Sequence, residues 1–394
     1  MNYLQKNNSS LTKVPGMAGS QIEASVNRST AQAYCQKVSD GYINIWLNSA
    51  SLSSHFLECW IDNFRLIYNG RTRKTYCPDG VVTKIPGWGD TSTVEYLDPR
   101  IPSPRQRVFG AHGSYFMEIA NMLVDKLGYL RNVSLRGAPY DFRRGPDENV
   151  EYFTKLKTLV EETYRMNNNE KVTFIAHSMG GSMALIFLRL QTQAWKDKYV
   201  SSLLTLSGVW EGSVKALQIL ATGDNMSTHL LNARTLRKLL VTFPSFGWLL
   251  PTKPLTDDGV LVTTEFKNYT QADLRQYLLE IGVPNAWEFY KNNRRNKFDS
   301  RPPGVRVYCL YGDIRYSTVQ RLLYRPGVSF NDAPELIFGD GDGSVNKKSL
   351  EGCLDWIDKQ SQEIYYRSFP HVDHYGMLRN ENILDYIESV LEVD

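Results

Sequence analysis

The sequence predicts an α/β fold in which a parallel sheet is covered by helices on both faces, and three observations predict it. Val172 to Ala176 is a short apolar run rich in β-branched residues, as in a buried strand. Immediately after a tight turn, Met183, Ile186, Phe187 and Leu190 recur at i, i+3, i+4 and i+7, which places them on one helical face. Around this pair the pattern repeats: an amphipathic helix from about Glu151 to Met166 precedes the Val172 strand, and a further strand, Val200 to Ser207, follows. Helix, strand, helix, strand is the cadence of a parallel sheet.

The chain has 394 residues, 42% hydrophobic and 22% charged, enough for one large α/β domain with insertions or for two domains. Its 45 basic and 42 acidic residues nearly cancel, so the charge balance calls for no nucleic acid or other polyanion. The basic clusters Arg71-Arg73-Lys74, Arg143-Arg144 and Arg294-Arg295 read as solvated faces. No apolar stretch approaches bilayer-spanning length. The opening MNYLQKNNSSLTK lacks the apolar core of a signal peptide, which favours the cytosol. Asn7, Asn8, Asn27, Asn132, Asn225 and Asn268 each begin an N-x-[ST] triplet, which favours the secretory pathway.

From its start to Gly19 the chain is polar and turn-rich, ending in the loop Val14-Pro15-Gly16-Met17-Ala18-Gly19-Ser20. Glycines there let backbone amides approach a ligand. Cys35 and Cys59 enclose an apolar patch, Tyr42 to Leu47, which either a bridge holds as a surface flap or unpaired cysteines join to the core. Ser114 is placed to cap a helix that runs to Leu127 and stops at Gly128.

Ser178 then falls at the strand-to-helix corner. Ala176-His177-Ser178-Met179-Gly180 is the nucleophile elbow G-x-S-x-G with Ala for the first Gly. The corner projects the hydroxyl from the sheet edge and places the Met179 amide at a helix N-terminus, where it can donate to an oxyanion. A serine that only caps the helix is the competing reading.

From Gly208 to Pro303 the periodicity weakens, and Ser245 to Pro251, SFGWLLP, puts apolar residues in what reads as a loop. A lid over the sheet edge, a small helical subdomain, or both fit that stretch. The sheet resumes at Val305 to Tyr311 and near Ile364 to Arg367, and Asn382 to Val393 reads as the closing helix. The domains are therefore a core from 1 to 207 with a flap at about 31–65, a cap and lid at 208–303, and the rest of the core at 304–394.

A serine needs a base within hydrogen-bond reach, oriented by a carboxylate. The α/β-hydrolase order is Ser, acid, His. Only His371 and His374 lie beyond the elbow and after the last strand, and His374 is nearer the closing helix. For the acid, Asp313 follows the Val305 strand directly, whereas Asp340 and Asp342 lie in a Gly-rich turn, Gly339 to Ser344. That turn also admits a calcium reading through Asp340, Asp342, Ser344 and Glu351, although Val345 stands where such a loop needs Gly. His371, Asp373 and His374 lack a metalloprotease pattern, so no metal or other cofactor is expected.

With these residues assembled, the chain resembles the lecithin:cholesterol acyltransferase family, in particular its lysosomal phospholipase A2 branch. The resemblance is carried by CWIDN at Cys59, VEYLDP at Val94, RGAPYD at Arg136, AHSMG at Ala176, AWKDKY at Ala194 and FGDGDG at Phe338, and spans about Val14 to Leu391. It implies an α/β-hydrolase core with a membrane-binding flap and a cap with a mobile lid. It also implies a triad of Ser178, Asp342 and His374, with oxyanion amides from Ala18 and Met179. Cys35 with Cys59 and Cys309 with Cys353 would be the family's bridges, leaving Cys77 free. Trp46 matches an aromatic that contacts the lipid acyl chain.

Some features depart from the family's pattern. Asn8 to Lys13 replaces a hydrophobic strand, the expected signal peptide is missing, and the start reads as truncated or misassigned. The stretch Ser49 to His55 is polar where the membrane-facing segment is apolar, and Gly208-Val209-Trp210-Glu211-Gly212 loses a Pro and gains a charge. Met17 stands where the lysosomal branch has an acidic residue, which leaves the pH preference open.

The expected activity is acyl transfer from a glycerophospholipid, through an acyl-enzyme, to water or a lipid alcohol such as ceramide. A sterol acceptor is the nearest alternative, and a catalytically impaired lipid carrier, motivated by the altered strand and Glu211, is another. Expected partners are phospholipid, lipid alcohol and a membrane or lipoprotein surface, met by a monomer in the lysosome or outside the cell.

Overall fold

The computed structural model describes residues 10–29, 32–48, 56–99, 113–225 and 232–393. Its centre is a nine-stranded mixed sheet. The parallel part runs in the spatial order Leu135–Gly137, Ser10–Val14, Val172–His177, Val200–Leu206, the first half of Arg306–Leu323, and Ile364–Pro370. The second half of Arg306–Leu323 extends past the core, where Glu335–Gly341 pairs with it antiparallel and Val260–Thr263 pairs with it parallel. The sheet with helices on both faces is the expected α/β architecture.

Alternation along the central strands sorts side chains to the two faces. Phe174 and Ala176 face the cluster formed by helices Val150–Met166 and Met179–Leu190, while Ile175 faces the one formed by Met117–Leu127 and the closing helix Glu381–Val393. Leu156, Leu159 and Val160 of the first helix are all 0% exposed, each contributing roughly 1.5–3 kcal/mol of burial. The helix of Met117–Leu127 ends at Gly128 with φ 74°, as its sequence predicts, but begins after Phe116 without a side-chain cap. Ser114 instead forms a β-bridge with Tyr96.

Three further expectations are corrected. Ser10–Val14, read as part of a polar, turn-rich entry, is a fully buried central strand. Its Lys13 ammonium meets the Glu95 carboxylate at 2.6 Å, and Arg131 closes on the same group at 2.9 Å, so the charge is buried but paired. Burial, only partly offset by Glu95, pulls the Lys13 pKa down to about 8. Arg143, read as a solvated cation, is 0% exposed and paired with Asp141 at 2.7 Å. Finally, the apolar stretch Ser245 to Pro251 is no exposed loop: Pro244–Trp248 is a short helix, and Phe246 and Leu250 are buried in the main core cluster.

Cys35–Cys59 and Cys309–Cys353 are disulfides, and Cys77 is free. The first bridge joins helix Leu57–Phe64 to the loop beside a small antiparallel sheet of Ile22–Val26, Ile43–Trp46 and Val81–Lys84. The polar stretch Ser49 to His55 lies outside the described residues, as do Asn7, Asn8 and His229. No helix among the described residues is long and apolar enough to cross a membrane.

Candidate active site

Val172–His177 delivers Ser178 to the sheet edge in a backbone conformation that ordinary side chains rarely adopt, φ 55° and ψ −128°. The neighbouring sequence makes room for that turn. A Cβ on Gly180 would lie 2.3 Å from the Val14 carbonyl oxygen, and one on Gly16 would lie 2.7 Å from the Ser178 Cβ, so both positions require glycine. Ala176 fits in place of the first elbow Gly because it lies within the strand, paired with Val14 on one side and Thr205 on the other. The Ser178 side chain makes no capping bond to its helix, so its hydroxyl is left for other work.

That hydroxyl meets His374 Nε2 at 2.8 Å. His374 Nδ1 lies 2.7 Å from Asp342 Oδ2, and the amides of Ser344 and Val345 donate to the other carboxylate oxygen at 3.0 and 2.7 Å. Asp342 is completely buried, which alone would raise its pKa, but the His374 charge and hydrogen bond, the Val345 amide and the Ser207 hydroxyl hold it below the usual carboxylate value. The Gly-rich turn thus brings Asp342 to His374. Asp313 is elsewhere: its carboxylate pairs with Lys347 at 2.7 Å. His371 is exposed, and its own amide bonds to the Asp313 carbonyl.

The calcium reading finds no shared site in this geometry, because the Asp342 carboxylate is taken by His374 and two amides while Glu351 accepts from the Tyr311 hydroxyl at 3.0 Å. Among the described residues there is no group of three or more His, Cys, Asp or Glu side chains placed to hold a metal ion.

Ala18 lies two residues beyond Gly16, whose Cα approaches Ser178, and Met179 follows Ser178 in the chain. Ala18 has φ 62°, and Met179 is the first residue of the helix Met179–Leu190. Trp46 Nε1 donates to the Ala18 carbonyl at 2.8 Å, and its ring is 4% exposed among Trp60, Phe64 and Phe142. Trp46 is therefore fixed to the loop beside the serine rather than displayed on a surface. Glu211, the unexpected charge after the Val200 strand, binds Lys253 at 2.8 Å and the Thr252 hydroxyl at 2.5 Å. Lys253 also reaches Asp355 at 2.7 Å, so the lysine that Glu211 holds joins the 208–303 segment to the chain that follows it.

Two residues to which the sequence assigns no role also stand here: His177, inside the elbow motif, and Tyr115. Nothing in their spacing signals a partnership, since 62 residues separate them.

A sequence profile described as lecithin:cholesterol acyltransferase matches residues 42–301 and 286–385. The human "Lysosomal phospholipase A and acyltransferase" is 39% identical over 381 residues, covering 96% of this chain and 89% of that protein. The chicken "Phosphatidylcholine-sterol acyltransferase" is 36% identical, covering 93% and 86%. Among solved structures, that of the Tle4–Tli4 complex aligns over 97% of each chain with a TM-score of 0.51 at 12% identity, a likeness of fold alone.

Proposed function

The chain belongs to the lecithin:cholesterol acyltransferase family, and from that membership we propose that it is a serine-dependent lipid acyl hydrolase and transacylase acting on glycerophospholipid esters. The observation that carries this reading is the unbroken contact from Ser178 Oγ to His374 at 2.8 Å and on to Asp342 at 2.7 Å.

In the reaction, Ser178 Oγ attacks the ester carbonyl while His374 Nε2 takes its proton. The carbonyl oxygen becomes an oxyanion, received by the amides of Ala18 and Met179. Collapse of the tetrahedral intermediate expels the lysophospholipid alkoxide, which takes the proton back from His374 and leaves an acyl-Ser178 ester. Water or a lipid alcohol then attacks that ester with His374 again as base. Asp342 keeps the imidazole in the orientation that presents Nε2 to the serine, and stabilises the imidazolium formed in each half-reaction.

Water and a ceramide-like alcohol are the proposed acceptors, in keeping with the phospholipase and acyltransferase named for the human relative. The enzyme is favoured over the lipid-carrier alternative by the altered strand's place in the sheet and by the Glu211–Lys253 pair. We assign 1–207 and 304–394 to the catalytic core, and 208–303 to a cap. We place the enzyme at a membrane or lipoprotein surface in the lysosome or outside the cell. Exposed sequons at Asn27, Asn132 and Asn268 agree with secretory transit.

The test is acyl release and transfer from phosphatidylcholine liposomes containing ceramide or, separately, cholesterol, beside Ser178→Ala. Free fatty acid and acylceramide that vanish in the variant support the reading. Cholesteryl ester as the dominant product would replace ceramide with a sterol, and equal turnover by a folded Ser178→Ala would end it.

A further inference from the structure

The side chain of His177 takes no part in the triad, yet it is 1% exposed and hydrogen-bonded at both ring nitrogens. The Gly16 amide donates to the Tyr115 hydroxyl oxygen at 3.0 Å. The Tyr115 hydroxyl makes a short bond with His177 Nδ1. His177 Nε2 lies 2.9 Å from the main-chain oxygen of His374.

The two ends of this chain fix its direction. An amide N–H can only donate and a carbonyl can only accept. The phenolic hydrogen must therefore point to Nδ1, and Nε2 must carry the imidazole proton. Burial first, then the neighbouring His374, pulls the His177 pKa down to about 3, so the ring is neutral at working pH. Burial likewise pushes the Tyr115 phenol up, and it keeps its hydrogen. Each donor in the chain has one acceptor, from a loop two residues before Ala18 to the residue that bears the base.

We propose that Tyr115 and His177 are positioning residues that lock the His374 loop to the Gly16–Ala18 loop across the elbow, so that base and oxyanion amides are held to one frame around Ser178. This rests on the serine acyl-transfer reading given above. The main chain of His374 is held on one side by its amide bond to the Asp342 carbonyl, at 2.8 Å, and on the other by His177. Removing the second tether frees a rotation that the first does not resist, and a shift of about 1 Å in a reacting group lowers rates by about 100-fold.

The experiment uses the full chain and a soluble p-nitrophenyl ester, which takes membrane binding out of the measurement. Tyr115→Phe, His177→Phe and His177→Gln are compared with wild type and Ser178→Ala, with thermal melts alongside. Tyr115→Phe and His177→Phe should lower kcat by about 30- to 100-fold with KM unchanged. His177→Gln, whose amide nitrogen can donate to the His374 carbonyl and whose amide oxygen can accept from the Tyr115 hydroxyl, should return to within about fivefold of wild type. A space-filling role would move the melt and not this split, and would not distinguish Gln from Phe.

Wild-type kcat in Tyr115→Phe, or equal losses in His177→Phe and His177→Gln, would overturn the proposal. If His177→Phe does not fold, Tyr115→Phe and His177→Gln decide it alone. An inactive Ser178→Ala beside a full-speed Tyr115→Phe overturns only the positioning role, whereas an active Ser178→Ala removes the underlying chemistry.

Discussion

Asp342 holds His374 by two bonds: its carboxylate lies 2.7 Å from Nδ1 and its carbonyl accepts the His374 amide at 2.8 Å. The acid thus orients both the ring and the backbone that carries it. Asp342→Asn keeps the backbone bond and offers the ring an amide instead of a carboxylate, which favours the wrong tautomer. The expected result is a fall of about 10,000-fold in kcat with the melting temperature within a few degrees of wild type. Steady-state kinetics on a soluble ester read the first, calorimetry the second.

Glu95 neutralises Lys13 inside the sheet and also takes Arg131. Glu95→Ala takes away the only carboxylate among the described residues that is hydrogen-bonded to this buried ammonium and should destabilise the fold by about 3–5 kcal/mol. Urea unfolding of the two proteins measures the difference. A loss under about 1 kcal/mol would show that the site relaxes to admit water.

Lys297 is a second buried ammonium, held by the carbonyls of Trp248 and Leu250 and flanked by the Trp248 and Tyr290 rings. Burial pulls its pKa down from 10.5 to about 7. Between those values the unfolded chain binds more protons than the folded one, so stability rises with pH. The destabilisation is complete below about pH 7 and relieved as pH climbs toward 10.5. Relative to Lys297→Met, wild type should gain up to about 1.4 kcal/mol per pH unit from pH 7 to 9. Parallel stability curves for the two proteins would contradict this.

The Cys309–Cys353 bridge joins the long strand Arg306–Leu323 to the short helix Glu351–Trp356 across 44 residues. Replacing both cysteines by serine should lower stability by roughly 4 kcal/mol through the freed loop. Denaturant melts of the double variant against the oxidised wild type test it.

The elbow was legible in the sequence because its signal is local: a strand, a serine and an amphipathic helix within twenty residues. Chain order narrowed the proposed base to His371 and His374. It did not single out the acid, since Asp313 and Asp342 both lie near a strand end, and what separates them is Lys347 beside the first and His374 beside the second. The Ser10–Val14 strand was hidden by its own polarity. Lys13 reads as solvent-exposed until Glu95, 82 residues away, is seen to neutralise it. Ser245 to Pro251 misled in the opposite sense, its apolar residues being covered by a helix, Pro284–Asn292, that packs against Gly247. The Tyr115–His177 chain left no sequence pattern, because it is made by a fold that brings three distant loops together.

The measurement that tests the central claim most directly is intact-mass and peptide mass spectrometry after exposure to a fluorophosphonate lipid analogue. The account predicts one adduct, on Ser178, formed with loss of fluoride. Labelling should be abolished in Ser178→Ala and slowed by orders of magnitude in His374→Ala, in parallel with phosphatidylcholine turnover. An adduct on another residue, or phosphatidylcholine hydrolysis that persists in folded Ser178→Ala, would contradict it.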